Sequence, residues 1–131
     1  MDPYLSIGNV YRRILEEFEK HKSLVIAYDF DNTVYDYHKK GHTYDQMINL
    51  LRELDELGCY LIVFTANPDL EMVTEYCNKN NIPFHVINEN SPFYNPNSNK
   101  IYYNALLDDR AGLKQTFELL TRFVHSIKNQ R

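Results

Sequence analysis

Two nearly continuous apolar runs, each ending in polar residues, constrain this chain more than anything else in it. Ser23 to Phe30 reads SLVIAYDF, and Cys59 to Thr65 reads CYLIVFT. Short runs of this kind suit strands buried on both faces, as in a parallel sheet. Segments of helical period alternate with them. Asn9 to Lys22 carries Val10, Tyr11, Ile14 and Phe18 on one face, and Tyr44 to Leu57 carries Tyr44, Met47, Leu51 and Leu54 before Gly58 closes it. From Ala111 onward, Leu113, Phe117, Leu120, Val124 and Ile127 recur at steps of four and three. Asn67-Pro68-Asp69 reads as a helix start, with Asn67 at the cap, proline first in the helix and acid in the first turn. That helix is expected to reach about Lys79. Phe84 to Ile87 reads as a third strand, Asn88 to Asn99 as a polar loop, and Ile101 to Leu107 as a fourth strand. The alternation predicts an α/β fold: a three-layer Rossmann-like parallel sheet with helices on both faces, one domain over residues 1–131, and no cap domain.

In open parallel sheets, ligands bind outside the carboxyl ends of the strands. The polar residues gather at those ends. Asp29 and Asp31 follow the first strand, Thr65 and Asn67 the second, Asp108 and Asp109 the fourth. Residues i and i+2 of an extended chain project to the same side, so Asp29 and Asp31 reach one space while Phe30 turns to the core. With Asp108 and Asp109 arriving from another strand end, up to four carboxylates converge. Clustered carboxylates repel and raise one another's pKa unless a cation sits among them. Oxygen-only ligands at this density suit magnesium, which binds through one or two carboxylates together with substrate phosphate. Acids capping helices or charging loops would be the plainer account of any one of these residues; two pairs, each after a buried strand, point to a site.

Asp29-Phe30-Asp31-Asn32-Thr33, Phe64-Thr65-Ala66-Asn67, Lys100 and Leu107-Asp108-Asp109-Arg110 resemble, in order, the four motifs of the haloacid dehalogenase superfamily of phosphohydrolases. The likeness spans about residues 25–112. The stretch from Asn88 through Lys100 to Arg110 also resembles small capless hydrolases of bacteria and phages, and Asp108-Asp109-Arg110 resembles the phosphatase domain of polynucleotide kinase/phosphatases. The resemblance implies a nucleophilic Asp29 that forms an aspartyl-phosphate, with Asp31 as general acid and then base. It implies that Thr65, the N–H of Ala66 and Asn67 hold the substrate phosphate, and that Lys100 offsets charge. Magnesium is expected on Asp29, the backbone carbonyl of Asp31, and Asp108, with Asp109 direct or through water. The family often has Gly-Thr where this chain has Asn32-Thr33; asparagine tolerates positive φ, so the turn is expected to survive.

Other features bound the reading. A net charge of −4 argues against a basic module that holds DNA by phosphate neutralisation, although a local basic groove stays compatible with it. Glycine occurs only at positions 8, 41, 58 and 112, so there is no Walker-type phosphate loop and kinase chemistry is disfavoured. The apolar run Leu61 to Phe64 is far short of the roughly 20 residues of a membrane span. Met1-Asp2-Pro3-Tyr4 lacks the basic and apolar regions of a signal peptide. Cys59 and Cys77 read as buried thiols rather than a disulfide. Together these predict a reduced, cytoplasmic protein that needs no membrane.

His38 and His42 are spaced as a helical zinc pair, but Lys39, Lys40 and Gly41 between them read as loop. The 34–43 segment reads either as a mobile flap meeting an anionic substrate or as a solvated basic hairpin. Tyr28, Tyr60 and Tyr76 read as packing residues, whereas Tyr35, Tyr37, Tyr94, Tyr102 and Tyr103 lie near strand-end loops where a ligand could bind. Two function classes follow. One is a magnesium-dependent phosphomonoesterase whose open site suits a nucleotide or nucleic-acid-end phosphate. The other is a non-catalytic phosphoacceptor or binding module on the same fold. A receiver domain carries its phosphoacceptor after the third strand, and here that strand ends in Ile87-Asn88-Glu89. The acid two residues beyond Asp29 favours turnover over storage.

Overall fold

Strand β1 (Val25–Tyr28) is buried along its whole length, as its apolar run requires, and forms the centre of the sheet. The computed structural model describes residues 1–93 and 98–130. A short 3-10 turn, Pro3–Leu5, leads into helix α1 (Ile7–His21), which the Ser6 hydroxyl caps by accepting from the Asn9 N–H. After β1 come α2 (Asp45–Glu56), β2 (Tyr60–Val63), α3 (Leu70–Lys79), β3 (Val86–Ile87), β4 (Ala105–Leu107) and α4 (Leu113–Asn129). The four strands run in the order β3-β2-β1-β4, all parallel. The register pairs Tyr28 with Val63 on one side and with Leu107 on the other. The residues that follow these three positions therefore leave the sheet at the same level.

One face of the sheet carries the main core. Ile26 and Tyr28 of β1 meet Tyr11 and Ile14 of α1, Leu51 and Leu54 of α2, Val73 and Cys77 of α3, and Leu120 and Phe123 of α4. Phe18 packs edge-on to Phe123 at 5.0 Å, and the Tyr11 hydroxyl meets Ser126 Oγ at 2.7 Å, tying α1 to α4. Truncating a fully buried leucine such as Leu54 would cost about 2–5 kcal/mol. Gly58 closes α2 with φ +85°, a conformation that a side chain resists, so the chain can reverse into β2.

The α/β class, the parallel sheet and the Rossmann-like arrangement are those that the alternation predicts, and no cap domain occurs among the described residues. What covers the second face differs in kind. Val25, Ala27 and Ile62 are buried there with Leu106 of β4, and Ile101, Tyr102 and Tyr103, a non-helical segment, pack against them. This also explains why β4 starts at Ala105 and not at Ile101. Residues 101–103 lie across the face, with the Tyr102 N–H donating to Asn90 Oδ1 at 2.8 Å, and Asn104 makes the join to the sheet. Its side-chain oxygen accepts from the Val25 N–H, and its own N–H donates to the Val25 carbonyl. Cys59 and Cys77 are free and buried, as their apolar surroundings predict. Among the described residues, no helix is long and apolar enough to cross a membrane.

Candidate active site

Asp29 is the first residue past β1. Its N–H donates to the Leu107 carbonyl at 2.8 Å, which carries the β1–β4 ladder one step beyond the named strands and sets Asp29 beside the start of Asp108-Asp109. The chain then turns sharply. The Phe30 carbonyl accepts from the N–H groups of Val34 and Tyr35, both at 3.1 Å, and Asn32 sits at φ +62°. Asparagine accepts this left-handed geometry because its short polar side chain lowers the cost of positive φ. Phe30 is fully buried, so Asp29 and Asp31 face the same hollow. The buried Thr33 hydroxyl lies 3.4 Å from Asp29 Oδ2.

The carboxylates of Asp29, Asp108 and Asp109 offer oxygens that all lie within 4.8 Å of one another. Asp29 and Asp108 are half-buried and Asp109 is exposed. Burial pushes the Asp29 carboxyl up from 3.8 to about 7, helped by a hydrogen bond with Asp109 and by the charge of Asp108. Asp108 is held by its chain neighbours: its Oδ1 accepts from the Arg110 N–H at 2.9 Å, and its carbonyl accepts from the Ala111 N–H at 2.9 Å. Three hard oxygen donors at this spacing, with a raised pKa where no cation offsets them, fit a divalent cation such as magnesium.

The opposite wall comes from β2 and β3. Thr65 is buried, and its backbone is clamped by the Asn88 side chain. Asn88 Oδ1 accepts from the Thr65 N–H at 2.8 Å, and Asn88 Nδ2 donates to the Thr65 carbonyl at 2.9 Å. The Thr65 hydroxyl accepts from the Asn67 N–H at 3.0 Å. Asn67 does not cap α3 as its Asn-Pro-Asp context predicts. The cap is Asp69, whose side chain accepts from the Met72 N–H, so the helix begins at Leu70. The two-residue delay leaves Asn67 in an Asx turn, accepting from the Asp69 N–H at 3.0 Å, with its Nδ2 free to donate to Asp31 Oδ1 at 3.2 Å.

These walls enclose a cleft of about 640 Å³ lined by Asp29, Asp31, Thr65, Ala66, Asp108 and Asp109, together with Asn32, Tyr37, His38, Phe64 and Arg110. A larger and more open hollow of about 810 Å³ lies between the starts of α2 and α4, but it holds no such carboxylate cluster. Family-model comparison decides what kind of chain this is: the model of the haloacid dehalogenase-like hydrolases matches residues 26–128. The chain belongs to that family. It is therefore a hydrolase by family, and the matched region contains the cleft and both of its walls. A conserved protein from Bacteroides thetaiotaomicron shares the fold of this haloacid dehalogenase-like chain, with a TM-score of 0.62 over 83% of this chain and 93% of that one, at 22% identity. No curated protein matches.

Not every expected site residue comes to the cleft. Lys100 is exposed and does not line it; its N–H donates to Ser98 Oγ at 3.1 Å. The 34–43 segment supplies Tyr37 and His38 to the cleft, but it is anchored. Tyr35 stacks on Phe30 at 4.9 Å and meets Tyr76 edge-on at 4.8 Å. Asp36 Oδ2 accepts from the Gly41 N–H at 2.7 Å, and Lys39 Nζ donates to the Tyr35 hydroxyl at 2.9 Å. His38 and His42 belong to no metal-ligating cluster among the described residues. Tyr28 is buried, with its hydroxyl donating to the Pro83 carbonyl at 2.8 Å, and Tyr94 lies outside the described residues. Sequence reasoning missed Asn88, whose signal was an asparagine directly after a strand in a chain that needs a left-handed residue there: its φ is +55°.

Proposed function

We propose that this hydrolase is a magnesium-dependent phosphomonoesterase working through an aspartyl-phosphate on Asp29. The observation that carries the reading is the convergence of the Asp29, Asp108 and Asp109 carboxylates opposite the clamped Thr65 turn. Asp29 attacks phosphorus while the leaving oxygen takes a proton from Asp31. Asp31 then removes a proton from the water that hydrolyses the phosphoaspartate. Splitting one hard displacement into two easier ones is what a carboxylate nucleophile offers. Asn67, donating to Asp31 Oδ1, orients that carboxyl and leaves its other oxygen for the proton. Thr65 and the Ala66 N–H receive the phosphoryl oxygens, from a turn whose shape is set before substrate arrives.

Asp29, Asp108 and the backbone carbonyl of Asp31 would hold magnesium, with Asp109 direct or through water. When bound, the ion would supply charge neutralisation for the phosphoryl group and would favour the ionised form of Asp29. Lys100, to which the resemblance gives the charge-offsetting role, takes no step in this reading, because it lies outside the cleft. The site lies open at the strand ends, so a leaving group larger than the phosphoryl group itself, such as a nucleotide or a nucleic-acid end, can enter. The test is a phosphatase screen of purified protein against sugar phosphates, nucleotides and 3′-phosphorylated oligonucleotides, with magnesium and with chelator. Metal-dependent phosphate release is the expected result. Binding of phosphorylated ligands with no release under any condition would overturn catalysis and favour a phosphoacceptor module.

A further inference from the structure

Among the cleft residues outside the carboxylate cluster and the Thr65 clamp, three bear on the leaving group. Phe64 is one. It stands between buried Val63 and buried Thr65, and the alternation of an extended chain turns its ring outward, 38% exposed. Tyr37 is the second, 53% exposed on the far side of Asp31 in the chain. Exposed aromatic surface forgoes the gain from burial, so two such rings in one polar cleft call for a ligand with an apolar face. The third is Arg110. Its backbone is fixed through Asp108, yet among the described residues its guanidinium makes no ion pair.

The Tyr37 backbone is tied to an anchored neighbour. Its N–H donates to the Tyr35 carbonyl at 2.9 Å, Tyr35 is stacked on Phe30, and His38 packs edge-on to Tyr37 at 5.1 Å. The cleft's 640 Å³ also exceeds what a phosphoryl group fills and matches the size of pockets that take a whole small ligand.

We propose that Tyr37 and Phe64 form a leaving-group subsite for the planar base of a nucleotide, with Arg110 pairing with a second anionic group of the same substrate. The proposal rests on the phosphomonoesterase reading of Asp29 and deepens it. Aromatic side chains stack on every base, because each base has a π-face, whereas a sugar phosphate offers no flat apolar surface. A guanidinium meets a phosphate through paired donors, as the next phosphate of a nucleic-acid end would provide. Base recognition and second-phosphate recognition are separable, and that separates free nucleotides from chain ends.

The experiment compares kcat/KM for adenosine 5′-monophosphate, adenosine 3′-monophosphate, ribose 5-phosphate and a 3′-phosphorylated dinucleotide. It uses the wild-type chain, Phe64→Leu, Tyr37→Leu and Arg110→Gln, all with magnesium. The wild type is expected to prefer one of the nucleotides over ribose 5-phosphate by about tenfold or more. Each leucine variant should cut that preference by about tenfold, mainly through KM, and Phe64→Tyr should restore it. Arg110→Gln should lower the preference for the dinucleotide over the mononucleotides. Equal turnover of ribose 5-phosphate and all nucleotides, or a preference that survives both leucine variants, would overturn the subsite. Failure to release phosphate from any substrate would instead count against the reading of Asp29. In that event, calorimetric titration of Asp29→Asn with adenosine 5′-monophosphate still decides the subsite. Binding that weakens when Phe64→Leu is added supports it, and absence of binding overturns it.

Discussion

On the β2 side of the cleft, Thr65, Asn67 and Asn88 hold one another through hydrogen bonds of 2.8–3.0 Å, and Asn67 reaches on to Asp31. On the β1–β4 side, three carboxylates crowd within 4.8 Å, and one of them is pushed to about 7. The first wall is complete within the chain. Asn88 and Asn67 fix the Thr65 turn through these bonds, so its geometry is set whether or not a ligand is present. The second wall crowds like charges, which at that spacing do not all ionise together unless a cation offsets them. In the proposed reaction the two walls divide the work: one positions the phosphoryl group, and the other supplies reactivity with a metal bound.

The largest expected effect breaks the reactive wall. Asp29→Asn should lower kcat by about 10³-fold or more while leaving the thermal transition cooperative, since the amide keeps the shape and loses the nucleophile. Steady-state phosphate release checks it, and substantial metal-dependent activity in the variant would sink the aspartyl-phosphate mechanism. Next in size, Asp108→Ala should raise the magnesium concentration for half-maximal activity by at least about 10–100-fold, and chelator should silence the wild type. Full activity in excess chelator would leave the carboxylate wall without its cation and the comparison without its basis.

The positioning wall is sharpened by a smaller change. Asn88→Gly keeps the left-handed backbone at φ +55° and removes both amide hydrogen bonds to Thr65. It should cost about 1 kcal/mol in urea unfolding and raise KM for the phosphorylated substrate by about tenfold, with little change in metal requirement. A shift in metal requirement as large as that of Asp108→Ala would mean that the two walls are not separate.

The smallest effect concerns acid. A carboxyl raised from 3.8 to about 7 in the folded chain binds more protons folded than unfolded across that interval. The stability contribution of protonated Asp29 is therefore present in full below about pH 4 and is lost as pH rises toward 7. Metal-free wild type should lose stability over that window more steeply than Asp29→Asn, and saturating magnesium should flatten the difference. Denaturant midpoints at several pH values measure it. Parallel profiles for the two proteins would place the raised group elsewhere.

The strand ends carrying Asp29, Thr65 and Asp108 were legible because burial on both faces writes a continuous apolar run, and the polar residue that ends the run marks the edge of the sheet. Asn67 misled as a cap. Asparagine caps helices and builds Asx turns with the same side chain, and only the three-dimensional demand of Asp31 selects between those uses. The covering of the second face by residues 101–103 was hidden for a related reason. Ile101, Tyr102 and Tyr103 look like strand, and nothing local says that Asn104 takes over the bonding to Val25. Lys100 lies on the sequence motif but outside the cleft, a placement that spacing alone does not encode.

The central claim is that Asp29 carries the phosphoryl group, and trapping that group tests it most directly. Asp31→Asn protein, lacking the base for the second step, is incubated with magnesium and p-nitrophenyl phosphate, quenched in acid, digested and analysed by mass spectrometry. One added phosphoryl group on the peptide containing Asp29, absent when Asp29→Asn is introduced as well, is the predicted result. A phosphoryl group on any other residue, or one that persists in the double variant, would contradict the account.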